Sequence, residues 1–297
     1  MAIGLCFYDI AKPQFTRYDN LVIDMKAEIS SVSDVFTYKY KITNDDTSTQ
    51  SFHTIRIEIG DNARNKGGTI RDIKQIPTMG NKWGGWTSNS NAKPRNKKAR
   101  GIIAWVAEHD TVKKIDDFLS APESALFAGE GINLSFKSEG LPNIMRFWAR
   151  GWARPYKQSE YDSLRYIAGY SADEVSPPWY EDAYQGKTIA PVLPPNPFNH
   201  TVFLDTLISQ ADKAQSLGWI SDQNFTNELN SFLQQTRTYL SAGDSVKAAT
   251  VLSDFVDVVE ATNAGQGPAG ATLTSEGYAL LYFNARYLQQ ILNSDQK

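Results

Sequence analysis

The sequence predicts an all-β antiparallel sandwich followed by a small four-helix bundle. Three observations carry that reading. Apolar residues alternate with polar ones through the first two thirds of the chain, they recur every three to four residues after position 200, and six of the 13 prolines fall between Pro177 and Pro197. A period of two belongs to a strand with one buried face, and a period near 3.6 to an amphipathic helix. The expected organisation is a sandwich at residues 1–170, a stiff proline-rich connector at 171–199 and a bundle at 200–297.

The strands follow from the alternation. In VFTYKYKIT, Phe36, Tyr38, Tyr40 and Ile42 share one face, and Thr37, Lys39 and Lys41 the other. SFHTIRIEIG repeats the pattern, with His53, Ile55, Ile57 and Ile59 on the apolar side. GIIAWVAE around Trp105, INLSF at Ile132–Phe136 and NIMRFWARGW at Asn143–Trp152 extend the series, punctuated by turn residues at Asn44–Asp46, Gly67-Gly68, Gly84-Gly85 and Gly140. No helical crossovers lie between them, so the strands are expected to pair antiparallel.

The helices follow from the 3.6 period. Leu204, Leu207, Ile208, Ala211 and Leu217 form one stripe, with Gly218 at the stop. Ser221 is the expected cap of a second helix carrying Phe225, Leu229, Phe232, Leu233 and Leu240, ended by Gly243. Asp244 or Ser245 opens a third with Ala249, Leu252, Phe255, Val256 and Val259, and Thr274 or Ser275 a fourth with Leu280, Phe283, Tyr287 and Ile291. Short connections between helices of similar length predict a closed bundle.

Composition narrows the function classes. A chain of 297 residues, 41% hydrophobic and 21% charged, can bury a core in each part. No run approaches the roughly 20 apolar residues of a membrane span. The start, MAIGLCFYDIAKPQ, shows neither a basic region nor a small-residue cleavage site, so no leader is visible. Cys6 is the only cysteine, which excludes an internal disulfide and a cysteine-based zinc site.

Chemistry-bearing motifs are sparse. GQGPAG at 265–270 matches a dinucleotide fingerprint but follows a helix and contains a proline, so a loop is expected. His53, His109 and His200 are scattered, and His53 reads as a core or edge histidine. Glu108 with Asp110, Asp116 with Asp117, and Glu181 with Asp182 are carboxylate pairs of the type a glycosidase needs. Neighbours on a strand point to opposite faces, and loop pairs are usually solvated, so no catalytic residue, cofactor or metal is expected. Calcium at Asn44–Asp46 or in the 108–117 loop lacks the oxygen-rich spacing of a dedicated site.

Leu204 and Leu207 followed by Gly218-Trp219-Ile220, the helix end at Leu240/Gly243, the series Ala248, Leu252, Phe255, Val259, and the closing YALLYFNARYLQQIL together resemble the FIMAH-type helical modules over residues 200–293. Such modules accompany secreted bacterial polysaccharide-degrading and surface-acting proteins, so the resemblance implies an extracellular or cell-surface bundle and no reaction. The first part is similar to a class of uncharacterised bacterial exported sandwiches through IPTMGNKWGGW, GIIAW and FAGEGINLSFKSEGLPNIMRFWARG.

Charge is segregated along the chain. Residues 64–100 hold 10 basic and 1 acidic side chains, a net of +9, whereas residues 200–297 hold 5 basic and 10 acidic, a net of −5. Lys93, Arg95, Lys97, Lys98 and Arg100 are the expected contacts to an acidic polymer or acidic protein partner, including the bundle of a neighbouring copy. Gly, Ser, Asn and Pro among them argue against a nucleic-acid surface. Trp83, Trp86, Trp179 and Tyr180 are the expected ligand platform if the chain binds polysaccharide. The expected function is therefore a non-enzymatic exported structural or adhesive surface module, self-association included, with a carbohydrate-binding accessory role as the alternative.

Overall fold

The computed structural model describes residues 21–60, 74–75, 83–89, 101–107, 125–151 and 183–295; at 74–75 and 83–89 it describes the backbone alone. Nine strands are present among these residues: β1 (Ile23–Val32), β2 (Val35–Asn44), β3 (Phe52–Ile59), β4 (Lys74–Gln75), β5 (Trp83–Asn89), β6 (Gly101–Ala107), β7 (Gly131–Ser138), β8 (Leu141–Gly151) and β9 (Tyr184–Val192). They form two antiparallel sheets, ordered β1-β2-β7-β4 and β5-β6-β3-β8-β9. Four helices follow: α1 (His200–Ser216), α2 (Gln223–Ser241), α3 (Ser245–Asn263) and α4 (Ser275–Ser294).

The alternation in β2 is realised residue by residue. Phe36, Tyr38, Tyr40 and Ile42 are buried while Lys39 and Lys41 are exposed. Its hairpin with β1 closes on the pair Val32↔Val35, leaving Ser33 and Asp34 as the turn at φ 50° and 61°. Two successive positive φ values suit the right-handed twist of the flanking strands.

The sheets face each other across aromatic rings. Trp105 of β6 lies 6.4 Å from Tyr40 and 6.0 Å from Phe136 of the opposite sheet, and Tyr38 stacks on Phe136 at 5.2 Å. Both tyrosines are fully buried, so their hydroxyls need partners. Tyr38 donates to the Gly140 carbonyl at 2.7 Å, and Tyr40 donates across the gap to that of Ile189 at 2.8 Å.

β3 departs from the expected pattern at one residue. The register slips between Phe52 and Thr54, so His53 sits in a bulge, half-buried, and Phe52 takes the core position. A bulge inserts one unpaired residue and inverts the parity beyond it. His53 is thus a half-buried histidine in the central strand, off the face of Ile55, Ile57 and Ile59.

Part of the expected connector is sheet. Tyr184–Val192 pairs with β8 along its whole length, from Leu141↔Val192 to Ala149↔Tyr184. Pro191 is tolerated because β9 is the outermost strand of its sheet.

Helix ends are set by local chemistry. Asn199, Asp222, Asp244 and Thr274 each accept from backbone N–H groups of the following first turn. Asp222 replaces the expected Ser221, whose hydroxyl instead accepts from the Thr272 N–H. Gly218 and Gly243 stop α1 and α2 at φ +73° and +76°. Leu217, expected in the α1 stripe, is 38% exposed, because the helix has ended and the chain turns away at Gly218.

α1 packs on α2 and α4, and α3 packs on α2 and α4, closing a ring. α4 also packs on β1, β8 and β9, so the helices and sheets share one continuous apolar core. Phe283 meets Phe36 edge-on at 5.2 Å, and Asn284 donates to the Pro142 carbonyl at 2.8 Å. At the first turn of α4, Glu276 accepts the Ala27 N–H of edge strand β1 at 2.6 Å in a buried setting.

Replacing Glu276 by Ala leaves that buried N–H without an acceptor and is expected to cost about 1–3 kcal/mol. Urea unfolding should show the loss, and Glu276→Gln, which keeps a carbonyl oxygen, should recover most of it. Burial also holds the Tyr40 hydroxyl well above the ordinary tyrosine range. The folded state keeps a proton that the unfolded chain releases near pH ~10, so this stability is full below that pH and is lost as pH rises beyond it. Alkaline unfolding followed by circular dichroism should therefore shift to higher pH in Tyr40→Phe, measured relative to each protein's stability at neutral pH.

Candidate functional site

A groove with a volume of about 710 Å³ lies where β8 and β9 meet α1. The register sets its sheet bank. Ile144 pairs with Ile189 and Arg146 with Lys187, so Ile144, Arg146, Lys187 and Ile189 share one face. Ile144 and Lys187 line the groove together with Asn143. Gly186, next in the chain, pairs with Phe147, whose ring occupies the space a Cβ would take. Only glycine lets β9 approach β8 there.

The helix bank is a stripe of α1 at helical spacing: Val202, Thr206, Ser209, Lys213 and Ser216. It runs beside the apolar stripe of Leu204, Leu207 and Ala211, which faces the bundle core. Gln210 lies between the two stripes and is only 5% exposed. Its amide makes no hydrogen bond among the described residues, yet it lines the groove. The groove continues into a second hollow of about 210 Å³ under Leu193, Pro194 and Pro195, and Asn143, Val202, Thr206 and Gln210 line both.

The electrostatics are simple. Among the described residues Asp205 is the sole carboxylate in the lining, and Arg237 of α2 neutralises it at 3.2 Å. Lys213 has no ion-pair partner among the described residues. Val202 and Leu217 present exposed aliphatic surface at the rim. The arrangement offers hydrogen-bond donors and acceptors, aliphatic contact and positive charge, which is equipment for binding.

The residues expected from sequence are not among the described lining of this groove. On β5, Trp83 pairs with Ala107 and Trp86 with Ala104, an odd separation that puts the two positions on opposite faces of the sheet. Trp179, Tyr180, Lys93, Arg95, Lys97, Lys98 and Arg100 lie outside the described residues, as do Glu108, His109, Asp110, Asp116, Asp117, Glu181 and Asp182.

Asn44–Asp46 folds as a turn. Asn44 is fully buried and donates to the carbonyls of Gln50 and Leu126. Asp45 accepts from the hydroxyl and N–H of Thr47, bonds that hold its carboxyl below its usual range. Among the described residues no three His, Cys, Asp or Glu side chains are grouped to hold a metal ion.

The remaining titratable groups of interest have structural partners. Glu58 receives Arg146, which also lies over the Trp148 ring at 5.1 Å. His200 sits 3.0 Å from Asp295, tying the first helix to the end of the last. No family model matches the chain, and no curated protein matches it.

A side chain at position 186 is expected to push Phe147 off its site. Gly186→Ala should cost about 1–3 kcal/mol in urea unfolding, the range for overpacking a filled core.

Proposed function

We propose that the protein is a non-enzymatic exported structural or adhesive surface module that self-associates head to tail through opposite charge. The observation that carries this reading is the placement of charge by the sheet order. β5 is one edge of its sheet and β9 the other. In the sequence the basic stretch 90–100 lies between Asn89 of β5 and Gly101 of β6, and these two residues pair with each other at the first edge. α4 packs against β8, β9 and β1, at the second, and holds the bundle there. The exposed faces of α1, α2 and α3 carry Asp212, Glu228, Asp254, Asp257 and Glu260.

A positive pole and a negative pole at opposite ends make a heterologous contact, which propagates if it does not close into a ring. The two buried carboxylates among the described residues, Glu58 and Glu276, are engaged by Arg146 and by the Ala27 N–H, which supports a scaffold reading over a catalytic one. A FIMAH-type kinship of the bundle and a cell-surface setting belong to the same proposal.

Sedimentation velocity across a salt series tests it. Concentration-dependent oligomers are expected at ~20 mM salt and their dissociation by ~300 mM, as the Debye length shortens. Neutralising Lys93, Arg95, Lys97, Lys98 and Arg100 together should abolish them. A chain that stays monomeric throughout would overturn the proposal, and retention on insoluble polysaccharide lost in Trp86→Ala would favour the carbohydrate-binding role instead.

A further inference from the structure

The geometry points to a second binding surface: the groove between β8–β9 and α1 takes an extended acidic peptide segment of a partner protein. This stands independently of the assembly reading, since it uses neither the 90–100 segment nor the acidic faces of the helices. Its first support is the pair of carboxamides Asn143 and Gln210, one on each bank, neither of which makes a side-chain hydrogen bond among the described residues. A carboxamide carries one acceptor and two donors, the complement of a peptide unit's N–H and C=O. Gln210 is only 5% exposed, and its amide lines the groove with no hydrogen bond to a described residue, so it is available to a ligand there.

The second support is charge. Lys213 stands on the helix bank without an ion-pair partner among the described residues, and the one carboxylate of the described lining, Asp205, is already matched by Arg237. A carboxylate on the ligand completes that balance. The third is shape and surface. A trough of about 710 Å³ with a smaller extension of about 210 Å³ suits a short extended chain. Val202 and Leu217 offer aliphatic contact at the rim, and the lining contains no aromatic ring in the main trough on which a pyranose face would stack. The observations favour a peptide over a sugar.

The test is a titration of the ¹⁵N-labelled full chain at ~300 mM salt, where the proposed assembly through opposite charge is dissociated. The probes are an acetylated and amidated hexapeptide alternating Glu and Val, the same peptide with Gln for Glu, and trigalacturonate. The expected result is saturable shifts at Asn143, Gln210 and Lys213 with the acidic peptide, at a Kd of ~0.1–1 mM. About tenfold weakening is expected for the Gln-containing peptide and for Lys213→Glu, a solvent-exposed change that spares the core. Gln210→Leu should weaken binding of both peptides by about fivefold. No saturable shift at the groove up to several millimolar would overturn the proposal, as would trigalacturonate binding there in place of the peptide. Equal affinity for the two peptides would overturn its acidic specificity. Failure of this titration leaves the salt-dependent assembly untouched, and a strictly monomeric chain leaves the titration intact, so the two proposals fail separately.

Discussion

Two buried hydrogen bonds join the last helix to the strands, Asn284 to Pro142 and Ala27 to Glu276, and the fold turns on the second. An edge strand presents N–H groups that no neighbour receives, and β1 is such an edge. At Ala27, fully buried, water cannot serve as the acceptor. Glu276 supplies it from the first turn of α4, where the partial positive charge of the helix terminus favours a carboxylate. One side chain thus meets two needs, terminating a sheet edge and orienting a helix. Thr274 caps the same helix end, its N–H bonds to the Trp219 carbonyl, and Gly277 lies against that carbonyl too closely for any Cβ. The start of α4 is therefore fixed from the sheet side and from the α1–α2 turn together.

Fixing α4 determines what lies around it. Its aliphatic face, Leu281, Ala285, Leu288 and Leu292, is buried, and Phe283 and Asn284 meet Phe36 and Pro142 of the sheets. α1 packs on α4, so α1 is carried to the β8–β9 end of the five-stranded sheet. The groove is the space left between them. It exists because two curved surfaces, a twisted sheet and a helix held at a distance by α4, cannot fill the angle they enclose. Polar residues on the α1 margin are what make that space chemically usable.

Most of the architecture was legible because local period and burial coincide. β2 alternates strictly, and its apolar residues are those that meet the opposite sheet; Gly218 and Gly243 stop their helices as their spacing demanded. The sequence was misleading where a tertiary contact overrode the local signal. Tyr184–Val192 reads as a stiff connector because prolines flank it, but proline is compatible with an outermost strand. The docking of the helices on the sheets had a signal in YALLYFNARYLQQIL, whose apolar and aromatic residues cover more of the helix than one stripe needs. The groove was hidden for a different reason. Asn143, Lys187 and Gln210 lie far apart in the chain and converge only through the β8–β9 register and the placement of α1, which no local pattern encodes. The faint clue was Gln210, a long amide placed next to Ala211 at the margin of an apolar stripe.

The width of the sheet separates its two edges. From β5 to β9 the order β5-β6-β3-β8-β9 spans four interstrand steps, about 19 Å at the usual strand spacing. That is more than twice the Debye length of ~8 Å in physiological salt. α4 packs on β1, β8 and β9, so the bundle, whose exposed faces carry Asp212, Glu228, Asp254, Asp257 and Glu260, stands at the β9 end and away from β5. The Glu276 contact thus decides more than stability: it helps set the side of the sheet on which this acidic surface stands, which is the premise of the proposed assembly.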